Sequence, residues 1–194
     1  MKKIKLNLKK LMNKKLKSNK IIFFPVSKPF VSKQDIFAVN KTLKSGWISS
    51  DGPEVKNFEN KFAKYVDRKF SVAVSSGTAA LEIAVKALDI KKNDEVLIPN
   101  FTIISNAIAV LKQNAKPVLI DCNLDNWNIN IDDIKKKITK KTKAIIVTHI
   151  YSFPNEMDKI IKICKKNKIL IIEDAAEVLG LKYKDKKCGS FGDI

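Results

Sequence analysis

An acidic cluster follows an apolar run near the end of the sequence. Residues 169–172 are Ile-Leu-Ile-Ile, and they lead directly into Glu173, Asp174 and, three residues on, Glu177. Such a run predicts a buried strand, and α/β proteins bind ligands at the carboxyl ends of these strands. A carboxylate there must be paired, because burying an isolated charge is costly. Asp174 is therefore either a structural cap or ion-pair partner, or an acid that keeps the nitrogen of a bound heterocycle protonated.

A second candidate site lies between an apolar run and a predicted helix. Residues 75–81 are Ser-Ser-Gly-Thr-Ala-Ala-Leu. Ser76 can cap the helix and Gly77 permits a tight turn. The exposed amides at the helix N-terminus, together with the Thr78 hydroxyl, can bind an anion or a phosphate. The pattern matches neither a P-loop nor the dinucleotide-binding glycine pattern, and a plain helix cap is the alternative interpretation.

The elements that must position these residues alternate regularly along the chain. Short apolar runs predict strands at 70–74, 96–98, 118–120, 144–147 and 169–172. Periodic apolar positions predict helices at 33–44, 55–66, 78–88, 104–113, 131–138 and 157–166, with Ser45-Gly46 ending the first. Alternation of strand and helix predicts an α/β protein with a mostly parallel sheet covered by helices on both faces, which is a three-layer architecture.

The distribution of lysine limits the classes of partner. The net charge is +18, but nine lysines and no acid lie in residues 1–20, so half of the excess charge is in that segment. Arg68 is the single arginine, whereas specific nucleic-acid recognition favours the forked arginine side chain. We therefore expect no specific nucleic-acid partner. Residues 1–20 are predicted to be a disordered basic extension, and a weak amphipathic helix on an anionic membrane surface is the alternative.

The cysteines and the histidine bear on metal sites and on location. Cys122, Cys164 and Cys188 are odd in number and widely spaced, which is typical of reduced thiols rather than of disulfides or a metal site. His149 is the single histidine. We expect no metal site and a cytoplasmic location.

Five motifs occur in order and carry a resemblance to a known family. They are Trp-Ile-Ser-Ser at 47–50, Ser-Gly-Thr-Ala-Ala-Leu at 76–81, Pro-Asn-Phe-Thr at 99–102, Glu-Asp-Ala-Ala-Glu at 173–177 and Gly-Ser-Phe-Gly-Asp at 189–193. Over residues 23–194 the chain resembles the DegT/DnrJ/EryC1/StrS family of pyridoxal-phosphate (PLP)-dependent sugar aminotransferases. Residues 148–158 are most similar to the perosamine synthetases of that family, which transfer an amino group to a GDP-linked 4-keto-6-deoxy sugar.

The resemblance implies PLP as the cofactor and a set of residues that hold it. The phosphate-binding positions of the family correspond to Gly77, Thr78 and Ala79. Asp174 corresponds to the acid that pairs with the pyridine nitrogen, and Glu177 to a position near the ring hydroxyl. Ile103 stands where many members place an aromatic ring over the pyridine, so an aliphatic side chain would cover that face here.

The resemblance also implies substrates and partners. The candidate substrate-binding residues are Trp47, Ser49 and His149, although His149 could equally be a histidine that fills a strand end. We expect a nucleotide-linked keto sugar and an amino donor, glutamate, as substrates, and a homodimer as the assembly. The expected product is used in surface polysaccharide such as lipopolysaccharide O-antigen.

The family pattern further predicts that residues 21–194 are the N-terminal part of the large domain of a fold-type I aminotransferase, here truncated. In the family the Schiff-base lysine follows the Gly-Ser-Phe-Gly-Asp motif, so we expect it beyond Ile194. We also expect the chain to be inactive and marginally stable alone. Related sugar dehydratases carry histidine in place of this lysine. A PLP-dependent sugar dehydratase, and a non-catalytic remnant that binds a nucleotide sugar or a partner, are therefore the alternatives.

Overall fold

The computed structural model describes residue 25 and residues 28–194. The predicted disordered extension and its alternative, the amphipathic helix, lie outside the described residues, as does most of the segment 21–27. The chain divides into two compact units, one ending at Ile48 and the other comprising Ser49–Ile194.

The first unit contains helix α1, Lys33–Ser45. A capping box begins it, because Ser32 Oγ accepts the N–H of Asp35 at 3.2 Å and the Asp35 carboxylate accepts the N–H of Ser32 at 2.7 Å. Gly46 ends it in the left-handed conformation, with φ at 74°, which glycine adopts without a Cβ clash. The predicted helix and its Ser45-Gly46 end are confirmed.

The second unit is built on a parallel sheet. Its helices are α2 (Pro53–Tyr65), α3 (Gly77–Ala87), α4 (Ser105–Leu111), α5 (Ile131–Lys137) and α6 (Met157–Asn167). Its strands are β1 (Glu95–Pro99), β2 (Lys116–Ile120), β3 (Thr142–Thr148), β4 (Leu170–Asp174) and the short antiparallel pair β5 (Lys182–Tyr183) and β6 (Lys186–Lys187). Among the described residues, the main sheet has the order β2-β1-β3-β4 with every pairing parallel. The six predicted helices and four of the five predicted strands are confirmed to within two residues at each end.

Two apolar clusters explain why three successive residues of β1 are all apolar. Val96 and Ile98 of β1 share a cluster with residues of α3 and α4, whereas Leu97 shares the other cluster with residues of α5 and α6. Successive residues of β1 thus face opposite helical layers, and this central strand is buried on both sides. The expected three-layer α/β architecture is confirmed.

The strand predicted at residues 70–74 is wrong. The segment has no regular secondary structure and pairs with no strand of the described residues. Its polar groups bond instead to Glu59 of α2: Ser71 Oγ donates to the Glu59 carbonyl at 2.6 Å, and the Ala73 N–H donates to Glu59 Oε1 at 2.8 Å. Residues 193–194 bond to the outer edge of β4, through the Asp193 N–H and the Ile194 carbonyl. A short apolar run forms a strand only where a neighbouring strand is present to accept its backbone hydrogen bonds.

Two further observations bear on function classes. No helix in the described part of the chain is long and apolar enough to cross a membrane. Over the same residues, no group of three histidine, cysteine or acidic side chains is arranged to hold a metal ion.

Candidate active site

Strand β4 brings two acids to the carboxyl edge of the sheet. Because successive strand residues point to opposite faces, Glu173 and Asp174 lie on opposite sides of the strand. The half-buried Asp174 carboxylate accepts two long hydrogen bonds, at 3.4 Å from Thr148 Oγ1 and at 3.3 Å from the Ala176 N–H. It forms no salt bridge with any described residue. Its lone pairs are therefore available to a ligand.

The Glu173 carboxylate, by contrast, is saturated with hydrogen bonds. The side chain is 1% exposed. It accepts the N–H groups of Gly189 at 2.6 Å, Phe191 at 2.6 Å and Gly192 at 3.0 Å, and it lies 3.1 Å from His149 Nε2. Burial raises the pKa of Glu173, but the bonds from His149 and from these N–H groups outweigh burial, so the pKa lies below its ordinary value. Glu173 therefore holds the turn at residues 189–192 against β4.

The structure buries His149 and bonds both of its ring nitrogens within the chain. The side chain is fully buried. The N–H of Asn155 donates to His149 Nδ1 at 2.9 Å, so Nδ1 carries no proton and Nε2–H donates to Glu173. Both ring nitrogens are thus occupied within the chain. Of the two interpretations of His149, this burial favours the histidine that fills a strand end, and a role in substrate binding stays a prediction.

The turn before α3 presents free amides, as the sequence predicts. Ser76 caps the helix, because its Oγ accepts the Ala79 N–H at 3.2 Å and its carbonyl accepts the Ala80 N–H. The amides of Gly77 and Thr78 are therefore the donors of the first turn that remain for a ligand. A Cβ built on Gly77 would meet no atom within 4 Å, so the space before this turn is open.

The first turn of α4 contacts both the turn before α3 and the end of β3. Ser105 Oγ lies 2.8 Å from Thr78 Oγ1. The next residue, Asn106, donates from Nδ2 to Thr148 Oγ1 at 2.8 Å, and Thr148 in turn donates to Asp174. The structure thus connects Thr78 and Asp174 through neighbouring residues of one helix. No sequence motif signalled this connection.

Glu177 lies in the turn that follows β4, and its carboxylate accepts the N–H of Tyr151 at 2.5 Å. Tyr151 has φ at 45°, an unusual value for a bulky residue. Tyr151 belongs with Phe101 and Trp127 to an exposed aromatic group, in which the Phe101 ring centroid is 5.1 Å from that of Trp127 and 6.4 Å from that of Tyr151. No sequence pattern indicated this group, although Phe101 and Tyr151 each closely follow the end of a strand.

The other candidate residues lie on the surface of their own units. Ile103 is 62% exposed in the segment between β1 and α4. Ser49 is also exposed. Its carbonyl accepts a hydrogen bond from the N–H of Gly52 in the turn before α2. Trp47 is exposed in the first unit. The roles assigned to these residues stay predictions.

The residues of the second unit fit the two polar ends of PLP. The cofactor carries a phosphate at one end and a basic pyridine nitrogen at the other. Free amides and open space at Gly77 suit the phosphate. The incompletely bonded Asp174 carboxylate suits a protonated nitrogen. Both ends of the cofactor therefore have a chemically matched group in the same unit.

The chain is similar to known proteins over most of its length. The chain is 41% identical over 172 residues to GDP-perosamine synthase of Escherichia coli O157:H7, covering 89% of the chain and 47% of that protein. It superposes on an aminotransferase from Psychrobacter cryohalolentis with a TM-score of 0.82 and 34% identity, covering 87% of the chain and 43% of that structure. It also superposes on GDP-4-keto-6-deoxymannose-3-dehydratase with a trapped PLP–glutamate geminal diamine (TM-score 0.83, 28% identity, 88% and 45% covered).

The chain spans about half the length of the relatives that it matches. Residues 29–194 match the sequence pattern of one family, and this range includes all five ordered motifs. The same range contains Asp174, the incompletely bonded acid at the end of β4, and the turn with free amides before α3. The chain belongs to the DegT/DnrJ/EryC1/StrS aminotransferase family.

Proposed function

We propose that this chain supplies the PLP-binding part of a nucleotide-sugar aminotransferase. The observation that carries the proposal is the Asp174 carboxylate, which stands at the carboxyl end of a buried strand with only two long hydrogen bonds. The reaction proposed is transfer of an amino group from glutamate to a GDP-linked 4-keto-6-deoxy sugar. The 41% identity to a GDP-perosamine synthase supports this substrate class.

When bound, PLP supplies a protonated pyridine ring that withdraws electrons from the reacting carbon. Asp174 holds the proton on the pyridine nitrogen, since a carboxylate stabilises the cationic ring. The turn of Gly77, Thr78 and Ala79 lies at the phosphate, and the free amides of Gly77 and Thr78 at the helix N-terminus bind it, because the Ala79 N–H already donates to Ser76 Oγ.

Two further residues complete the proposed cofactor environment. Ile103 covers one ring face by dispersion contact, and its 62% exposure leaves it available for that contact. Glu177 lies near the ring hydroxyl and orients the loop of Tyr151 through the 2.5 Å bond to its backbone. Ser49 and Trp47 are proposed to contact the sugar nucleotide.

The dehydratase is the second candidate, and one observation favours it. The chain superposes on GDP-4-keto-6-deoxymannose-3-dehydratase with a TM-score of 0.83. In the family, the residue that separates the two reactions follows the Gly-Ser-Phe-Gly-Asp motif, and lysine there gives an aminotransferase. We propose the aminotransferase because the sequence identity to the synthase is higher, at 41% against 28%.

The test is the product formed by the protein to which this sequence belongs. The protein is incubated with PLP, GDP-4-keto-6-deoxymannose and ¹⁵N-glutamate, and the sugar nucleotide is analysed by mass spectrometry. We expect ¹⁵N in the sugar, and no incorporation with the Asp174→Ala variant. Loss of a hydroxyl without nitrogen incorporation would establish the dehydratase instead. No change in the sugar would exclude both reactions on this substrate.

We also propose a homodimer, a cytoplasmic location and a product destined for surface polysaccharide. The three cysteines are all free, as in proteins of a reducing compartment. Light scattering of the full-length protein tests the homodimer. Deletion of the gene, followed by sugar analysis of surface polysaccharide, tests the use of the product.

A further inference from the structure

The first turn of α4 carries two buried polar side chains that the proposed function has not used. Ser105 is 7% exposed and Asn106 is fully buried. Adjacent helix residues point about 100° apart. Ser105 therefore reaches the turn before α3, while Asn106 reaches the end of β3. Burying polar groups away from water costs free energy unless they form hydrogen bonds within the protein.

The direction of the bonds at Asn106 is determined by the Asp174 carboxylate, because it can only accept and the Thr148 hydroxyl must therefore donate to it. Nδ2 donates to Thr148 Oγ1 at 2.8 Å and to Thr102 Oγ1 at 3.2 Å. The Thr148 hydroxyl directs its proton to Asp174 Oδ2, 3.4 Å away, and therefore accepts from Asn106. Asn106 Oδ1 is buried and has no partner among the described residues. The side chain thus leaves one bond unmade and keeps the donor side toward Thr148.

We propose that Ser105 and Asn106 are positioning residues that fix the two ends of the cofactor site relative to each other. Ser105 holds Thr78 at the phosphate end, and Asn106 acts through Thr148 on Asp174 at the nitrogen end. The inference rests on the proposed function. The new element is that Ser105 and Asn106 contact no ligand but set the distance between the two groups that bind the ends of PLP.

The phosphate end is tested by comparing PLP with pyridoxal, which lacks the phosphate. Dissociation constants are measured by fluorescence titration of the full-length protein. With Ser105→Ala, PLP affinity is expected to fall about fivefold to tenfold while pyridoxal affinity is unchanged, because only the phosphate contact is disturbed. An equal loss for both ligands, or no loss, would overturn the role of Ser105.

The nitrogen end is tested with Thr148→Val, which removes the hydroxyl and keeps the shape. Affinity for PLP and for pyridoxal is expected to fall by the same factor, again about fivefold to tenfold, and Thr148→Ser is expected to restore it. Thr142→Val is the matched control. Thr142 is equally buried at the other end of β3, and its hydroxyl accepts only a local N–H, from Thr139 at 2.9 Å. Its substitution should leave both dissociation constants unchanged.

Asn106 is tested through Thr148 rather than alone, because Asn106→Ala opens a cavity. If Asn106 acts through Thr148, adding Asn106→Ala to Thr148→Val should weaken PLP binding no further. Additive losses would overturn the relay. If the unaltered protein binds neither PLP nor pyridoxal, the proposed function fails and this inference fails with it. If it binds PLP and the Ser105 and Thr148 variants bind equally well, only this inference is wrong.

Discussion

Glu173 and Asp174 are neighbouring acids at the end of one strand, yet their carboxylates have opposite surroundings. Glu173 is enclosed and accepts bonds from His149 and from three backbone N–H groups. Asp174 is half-buried and accepts two long bonds. The acid that organises the fold has no remaining capacity for a ligand. The acid proposed for catalysis is available because the fold leaves it incompletely bonded.

The side of β4 that Glu173 faces is also sterically closed. A Cβ at Gly192 would lie 2.9 Å from the Glu173 Cβ and 2.6 Å from the Ile194 carbonyl oxygen, so only glycine lets the turn approach the strand this closely. Arg68 adds a bond to the Gly192 carbonyl. The Gly-Ser-Phe-Gly-Asp motif and the Glu-Asp motif are therefore parts of one structural unit, with Asp174 at its open side.

The largest effect is expected from Glu173→Gln. The substitution replaces one acceptor oxygen by an NH₂ group that faces N–H donors, and it leaves buried donors unpaired. We expect the free energy of unfolding to fall by about 3–5 kcal/mol. Urea denaturation followed by circular dichroism measures it. The matched control is Asp174→Asn, the same change one residue on, which should cost less than about 0.5 kcal/mol. Similar losses for the two variants would remove the distinction between the acids.

The next effect concerns Cys188, which lies just before the turn that Glu173 holds. The thiol is 1% exposed, and burial, with a smaller contribution from Glu173, raises its pKa. In the Glu173→Gln variant we expect iodoacetamide to alkylate Cys188 about 100-fold faster, because the turn opens locally. In the Asp174→Asn variant we expect the rate of alkylation to be unchanged. Mass spectrometry measures each site. Cys164 of α6 is the internal control. It lies in the apolar core, where burial raises its pKa to about 12, so it reacts slowly while the fold is intact. Equal acceleration at Cys164 would indicate global unfolding instead.

A smaller effect is expected from Asp174→Asn on the cofactor. An amide cannot neutralise a protonated pyridine, so the dissociation constant for PLP should rise about tenfold or more, given the strength of charge-assisted bonds. Fluorescence titration of the full-length protein, with unfolding measured in parallel, separates this from stability. Unchanged affinity in a stable variant would exclude Asp174 as the partner of the pyridine nitrogen.

The smallest effect is expected from pH. The pKa of Glu173 in the folded chain lies below its ordinary value of 4.5. A carboxyl group with a depressed pKa stabilises the fold above its unfolded pKa, and this contribution disappears as pH falls through the folded pKa. The stability difference between the unaltered protein and Glu173→Gln should therefore shrink from pH 6 to pH 3. Urea midpoints across this range measure it, and a constant difference would contradict the assignment.

Local patterns predicted most of the fold, because the period of apolar residues reports helix and strand directly. Residues 70–74 are the exception. They form an apolar run like those of the strands, but strand pairing depends on which segment lies beside the run. Glu59 takes the amide that a neighbouring strand would have accepted. The candidate site was predictable in part. Gly77, Thr78 and Asp174 stand at element ends that the sequence indicates, whereas Ser105 and Asn106 belong to no recognisable pattern.

By itself, the sequence determined the family, the order of the elements and the edge of the sheet at which ligand chemistry is placed. These properties depend on residues close together along the chain. Only the tertiary structure decided which of two adjacent acids is incompletely bonded, that both ring nitrogens of His149 are bonded within the chain, and that α4 contacts both Thr78 and Thr148. Each of these depends on contacts between distant segments, because burial and hydrogen-bond saturation are set by what packs against a side chain rather than by its type.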